Sequence, residues 1–151
     1  RSLFDRLPAS VRVVDVSPRD GLQNEKMMVD TKTKLALIAK LRAAGVSSIE
    51  AAAFVSPKAV PQMADARAVL EGAFSAEAGD SGSQAARFAA LVPNLRGLEL
   101  AVAAGVREAT ILAAATETMS RRNTNCSLQD SLDRACAVIS AAKTGGIRTR
   151  G

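Results

Sequence analysis

A chain of 151 residues that is 48% apolar suits a single compact domain with its own core. Its mean hydropathy of +0.09, and the want of any run approaching roughly 18 apolar residues, exclude a membrane span and predict a soluble globular protein. The net charge of +5 would suit nucleic acid, but the basic residues are scattered and the four Phe stand without Tyr or Trp, so base stacking has little to work with and that partner is excluded.

In chain order the pattern is strand, then helix, repeated. Residues 11–16 are nearly all apolar, as a strand buried on both faces should be. A long loop follows. Asp30 or Thr31 then caps a helix with Leu37, Ile38, Leu41 and Ala44 on one face, and Gly45 ends it. Residues 46–53 form the second strand, and 65–74 the next helix. The stretch 75–84, rich in Ala, Gly and Ser, reads as a flexible surface loop within the single domain 1–151.

A third strand is predicted over 88–92. Asn94 caps a helix whose face is Leu95, Leu98 and Val102, and a fourth strand spans 108–113. A polar loop leads through Asn125 to Ser127, which forms a capping box with Asp130. The helix that follows is lined by Leu128, Leu132, Ala135, Cys136 and Ile139. Gly145-Gly146 stop it, and 147–150 starts a fifth strand. The joint Ala43-Ala44-Gly45-Val46 recurs as Ala103-Ala104-Gly105-Val106, each a glycine helix end feeding a strand.

Four βα units and the start of a fifth strand therefore imply a right-handed parallel sheet. A (β/α)₈ barrel of this kind takes about 250 residues, so the chain is expected to be its N-terminal part. Such a half-barrel exposes a sheet edge, and a homo-oligomer or partner protein is expected to cover it.

Chemistry concentrates at the end of the first strand, in Ser17-Pro18-Arg19-Asp20-Gly21-Leu22-Gln23-Asn24-Glu25. Loops at the C-terminal ends of barrel strands carry catalytic groups. Asp20 can give a divalent metal a hard oxygen, and Arg19 can hold an enolate or carboxylate oxygen. The same two residues would also serve as a structural ion pair. Glu50 sits among apolar neighbours and needs a partner, Arg19 or a metal, unless it faces solvent at the strand end. The two cysteines make no disulfide framework or zinc site. Cys136 is expected in the core and Cys126 to be an inert thiol.

These residues resemble the 3-hydroxy-3-methylglutaryl-CoA lyases. The likeness runs through Ser17–Lys26, Ile49-Glu50, Phe54-Val55-Ser56-Pro57-Lys58, Val60-Pro61-Gln62-Met63, Val92-Pro93-Asn94-Leu95-Arg96-Gly97 and Asn123-Thr124-Asn125-Cys126-Ser127. The resemblance implies a TIM (β/α)₈ barrel that cleaves 3-hydroxy-3-methylglutaryl-CoA, in leucine degradation, to acetyl-CoA and acetoacetate with Mg²⁺ or Mn²⁺. It implies Asp20 as a metal ligand, Arg19 as the enolate-stabilising group, and Glu50 in the same polar catalytic cluster. Gln23 would stand beside the metal and substrate. Lys26, like Lys58, would meet CoA phosphates or simply be a surface lysine, and Asn123 and Asn125 shape their loop.

Departures accompany the likeness. Ala53 replaces a small polar residue, the 75–84 segment is longer than usual, and the family's two-histidine motif, asparagine ligand and catalytic cysteine have no counterpart in this sequence. The 151-residue chain alone is accordingly expected to lack lyase activity. Two other readings stand beside the lyase: a non-catalytic half-barrel serving as a subunit of a larger complex, and a related metal-dependent aldolase or Claisen synthase. The family and the Arg-rich composition imply the mitochondrial matrix, with bacterial cytoplasm as the alternative.

Overall fold

The computed structural model describes residues 7–78 and 86–151. Four strands, β1 (Ser48–Ala53), β2 (Arg87–Leu91), β3 (Glu108–Thr110) and β4 (Arg148–Arg150), lie side by side in chain order, all parallel. Helix α1 (Thr31–Ala43) precedes β1, and the helices α2 (Ala66–Ala78), α3 (Leu95–Ala103), and α4 (Glu117–Thr124) with α5 (Leu128–Thr144), make the three crossovers. The predicted α/β arrangement of repeated βα units is what the chain adopts.

Strand alternation separates two chemistries. Ile49, Phe88, Ala90 and Ala109 pack with Ile38, Val69, Leu70, Leu98 and Val138 in the apolar layer beneath the helices. Phe74 and Phe88 meet edge to face at 5.4 Å within it. The residues between them in sequence, Glu50, Glu108 and Thr110, turn to the other face, where they bond to one another's partners rather than to hydrocarbon. A register shift between Glu50 and Ala52 adds one residue to β1, so Ala51 and Ala52 both join the helix-side core while Ala53 packs with Leu91 and Met63.

The helix starts are as expected. Asp30 accepts from the Thr33 backbone N–H at 2.7 Å, Asn94 from Gly97 at 2.9 Å, and Ser127 and Asp130 form the reciprocal box. The repeated joint is a matter of backbone: Gly45 and Gly105 sit at φ +87° and +89°, where a side chain is strained.

Five expectations need correction. Residues 11–16 are not a buried strand. Among the described residues their β-pairing with β1 is the isolated Asp15–Ile49 bridge, and Val11 and Val13 are 77% and 72% exposed because no described residue covers them. Helix α2 continues to Ala78, into the stretch read as loop; the remainder of 75–84 lies outside the described residues. Thr116 caps a helix, α4, where only polar loop was expected. The large side chains also misled: Leu95, Val102, Leu132, Ile139 and Cys136 are exposed, while Leu98, Ala101, Ser131, Val138 and Ala142 face inward. On α1, Ala44 is exposed, and the buried positions are Ile38 and a lysine, Lys34.

Candidate active site

The segment after residue 16 closes into one wide turn, Ser17–Gly21, in which the N–H groups of Arg19 and Asp20 both point at the Val16 carbonyl, at 3.1 and 2.7 Å. Asp15 fixes the entry, its Oδ1 accepting from the Ser17 backbone at 2.9 Å and hydroxyl at 2.6 Å. Pro18 is buried beneath the turn. The turn gives the two neighbours different exposure: the Arg19 side chain is 14% exposed and Asp20 58% exposed.

Arg19 lands on Glu50. Its Nε donates to Glu50 Oε1 at 2.5 Å and its Nη2 pairs with the same oxygen, while Nη1 donates to Asp20 Oδ1 at 2.6 Å. The other Glu50 oxygen accepts from Thr110 Oγ1 at 2.7 Å and from Arg150 Nη2, which also reaches Thr110 Oγ1 at 2.9 Å. Glu50 is fully buried. An unpaired carboxylate there would be costly, and two guanidiniums plus a hydroxyl remove that cost. The expectation that Glu50 is buried against Arg19 holds. Its alternative as a solvent-facing residue does not.

A second buried carboxylate, Glu108, lies on the same face of the sheet. It takes a forked pair from Arg12 at 3.0 and 3.1 Å and a third bond from Arg148 at 3.3 Å. Charge therefore alternates along the inner face, from Asp20 through Arg19, Glu50 and Arg150 towards Glu108.

Above the strand ends lies a cleft of 610 Å³. Arg19, Asp20 and Gln23 line one wall, the loops after β1 and β2 (Ser56, Pro93, Asn94) another, and Asn123, Thr124, Ser131 and Arg134 the far side. Three of the five predicted site residues thus meet in one cavity. Glu50 stays beneath Arg19 and does not open onto it. Lys26 is exposed and lines a smaller neighbouring cavity of 270 Å³, which shares Gln23, Ala59 and Val60 with the cleft.

Sequence reasoning did not find the far wall. The sequence pattern puts Asn123 in a loop, whereas α4 presents it to the cleft, and Arg134 belongs to no motif. Thr110 and Arg150 were also unassigned; their signal was a Thr and an Arg at inward positions of neighbouring strands, facing an isolated buried Glu. Cys126 is buried beside Ser120 and Thr124, with Sγ 3.1 Å from Thr124 Oγ1, whereas Cys136, expected in the core, is exposed.

As a metal site the described residues supply one hard ligand. Asp20 presents a mostly exposed carboxylate to the cleft, one oxygen already engaged by Arg19. Among the described residues no three His, Cys, Asp or Glu side chains group as a metal centre would require. The residues present do not make a metal site by themselves.

The chain resembles known proteins in sequence and in fold. The pattern of the HMGL-like family matches residues 10–151. Over 150 residues the chain is 47% identical to the mitochondrial hydroxymethylglutaryl-CoA lyase of Macaca fascicularis, covering 99% of this chain and 44% of that one. The crystal structure of hydroxymethylglutaryl-CoA lyase from Pseudomonas aeruginosa superposes with a TM-score of 0.82 at 47% identity, over 96% of this chain and 46% of that one. An HMG-CoA lyase from Acinetobacter baumannii, in complex with coenzyme A and 3-methylmalate, superposes at 0.77 with 32% identity, over 90% and 42% of the two chains. The chain spans less than half the length of these relatives.

Proposed function

The chain belongs to the HMGL-like family, and on that premise we propose that it forms the Arg19–Asp20 side of an active site that splits 3-hydroxy-3-methylglutaryl-CoA into acetyl-CoA and acetoacetate. The observation that carries this reading is Arg19, held on a buried carboxylate with guanidinium N–H groups left over at the rim of a cleft. In the reaction the C3 hydroxyl loses its proton, the C2–C3 bond breaks, and C3 becomes the ketone of acetoacetate. The bonding electrons move onto the thioester oxygen as an enolate, and C2 then takes up a proton.

Arg19 is the group placed to hold that oxygen. A guanidinium has five N–H donors; Glu50 and Asp20 occupy three, so the remainder can meet charge as it develops. Donors fixed before the reaction do not have to reorganise during it, which is where electrostatic stabilisation gains its strength. Glu50 acts through Arg19 and is a positioning residue in this scheme. Gln23 lies beside Asp20 on the cleft wall, and Lys26 is the cation of the adjoining cavity.

Asp20 would contribute one oxygen to Mg²⁺ or Mn²⁺, whose chemistry is to polarise substrate oxygens, the other ligands coming from outside the described set. Likeness to a relative bound to coenzyme A and a methylated hydroxy diacid supports an acyl-CoA substrate. The proposed compartment is the mitochondrial matrix, in keeping with the macaque relative, and the Pseudomonas relative suits the bacterial alternative. No helix among the described residues is long and apolar enough to cross a membrane.

The test is product analysis of the protein as its source makes it, incubated with 3-hydroxy-3-methylglutaryl-CoA and Mg²⁺. Acetoacetate and acetyl-CoA in equal amounts support the reading; intact substrate refutes it. The 151-residue chain alone should give no product. A second reading, a non-catalytic subunit, draws on the exposed Val11 and Val13 beside the sheet, which suit a homo-oligomer or partner protein. Under that reading Asp20→Ala leaves assembly intact and there is no turnover to lose.

A further inference from the structure

Lys34 is the one lysine buried in the described core, 2% exposed, and the mechanism makes no use of it. Its Nζ donates to Asp65 Oδ1 at 2.6 Å and to the Gln62 carbonyl. Thr31, in the first turn of α1, donates to the other Asp65 oxygen at 2.7 Å. The start of α1 is thereby locked to residues 61–65, a segment that opens with the 3₁₀ turn Pro61–Met63. A lysine is buried only where its charge is paired and its donors are used.

Gln62 extends the lock outward. Its side chain is buried and makes three hydrogen bonds to the backbone of residues 25–29: Nε2 donates to the Met27 carbonyl at 2.6 Å and the Glu25 carbonyl at 3.2 Å, and Oε1 accepts from the Val29 N–H at 3.1 Å. One amide thus holds the loop at three points, residues 25, 27 and 29. Met27 and Met28 are both exposed there, so hydrophobic burial does not anchor it. The same loop forms the wall of the 270 Å³ cavity, through Glu25, Lys26 and Met28, and that cavity continues into the cleft at Gln23, Ala59 and Val60.

We infer that Gln62, seated by Lys34, is a positioning residue for ligand binding: it holds residues 25–29 in the shape that receives the part of the substrate extending out of the cleft. The reacting carbon atoms meet Arg19 elsewhere, so loss of Gln62 weakens binding of the extended part and leaves the chemical step. The identity of that part as a coenzyme A tail rests on the lyase reading above; the mechanical role of Gln62 does not.

The test uses the full-length polypeptide that contains this sequence, as Gln62→Asn and Gln62→Met. The shorter amide of Asn keeps the polarity and cannot reach all three backbone groups, so it serves where Met fails to fold. Three readouts are taken: amide exchange at Val29, the Kd of coenzyme A by calorimetry, and kcat and KM for 3-hydroxy-3-methylglutaryl-CoA. The inference expects Val29 exchange to quicken by about tenfold or more, Kd and KM to rise by a similar factor, and kcat to stay within about threefold. A Kd unchanged while Val29 exchange quickens would overturn it, as would a fall in kcat at constant KM. Want of turnover in the unsubstituted protein defeats the lyase reading alone, because amide exchange at Val29, whose N–H Gln62 accepts, still decides whether Gln62 holds the loop: exchange unchanged in both variants would overturn that role.

Discussion

Arg19 and Glu50, 31 positions apart, form one unit: Arg19 Nε lies 2.5 Å from Glu50 Oε1, with Glu50 wholly buried and Arg19 at the edge of the cleft. The carboxylate is the fixed end and the guanidinium the working end. Replacing Glu50 with Ala leaves Arg19 and Arg150 without their shared anion. We expect a loss of about 3–5 kcal/mol in the denaturant midpoint analysis, the range for breaking a buried pair. Glu50→Gln keeps the volume and should lose less. An unchanged midpoint in both variants would mean that the cluster carries no stability.

The two thiols should separate by rate. Cys136 is exposed and Cys126 is buried against Ser120 and Thr124. Iodoacetamide is expected to label Cys136 in the folded protein and Cys126 only when urea opens the structure. Peptide mapping after brief labelling reads this directly; equal labelling of both would place Cys126 at the surface.

Acid should loosen two helix starts. Hydrogen bonds from the Thr33 backbone N–H and side chain hold the Asp30 carboxyl below its ordinary value of 3.8, and those from the Ser127 side chain and backbone do the same for Asp130. A carboxyl whose pKa is depressed on folding contributes stability that is complete above the unfolded value. That contribution is lost as the pH falls through the folded one. Thermal midpoints should therefore be level above about pH 5 and fall below about pH 4. The paired variant Asp30→Asn with Asp130→Asn should show a shallower acid slope, and the same slope as the parent would remove these caps from the account.

Much of the fold was readable because punctuation is local. Asp30, Asn94 and Ser127 announce helix starts by hydrogen bonds to residues three positions on, and Gly45 and Gly105 mark joints by their backbone. The inward faces were less readable because this core is built largely from alanine. Ala51, Ala52, Ala90, Ala101, Ala109 and Ala142 are buried while Leu132 and Ile139 are not, so a search for bulky stripes selects the wrong side of α5. Helix α4 escaped for a related reason: its buried residue is Ser120, whose hydroxyl donates to the Cys126 carbonyl at 3.0 Å, and a polar anchor gives no apolar period. Of the site, Arg19, Asp20 and Gln23 were legible as neighbours in one short segment. Thr110, Asn123, Arg134 and Arg150 were not, since only the crossovers bring them near.

Gly105 offers a local test of the joints. It stands at φ +89°, and an added Cβ would meet Phe74 Cε2 at 3.4 Å. Gly105→Ala should cost about 1–2 kcal/mol, chiefly through backbone strain. Gly151→Ala, where an added Cβ meets nothing, should cost nothing measurable.

The measurement that tests the central claim most directly is kcat for 3-hydroxy-3-methylglutaryl-CoA cleavage by the full-length protein and by its Arg19→Gln form, with circular dichroism confirming that both are folded. The account predicts acetoacetate release that falls by about 10²–10³-fold in the variant, the effect of removing a donor from a developing oxyanion. Equal turnover in the two folded proteins would contradict it.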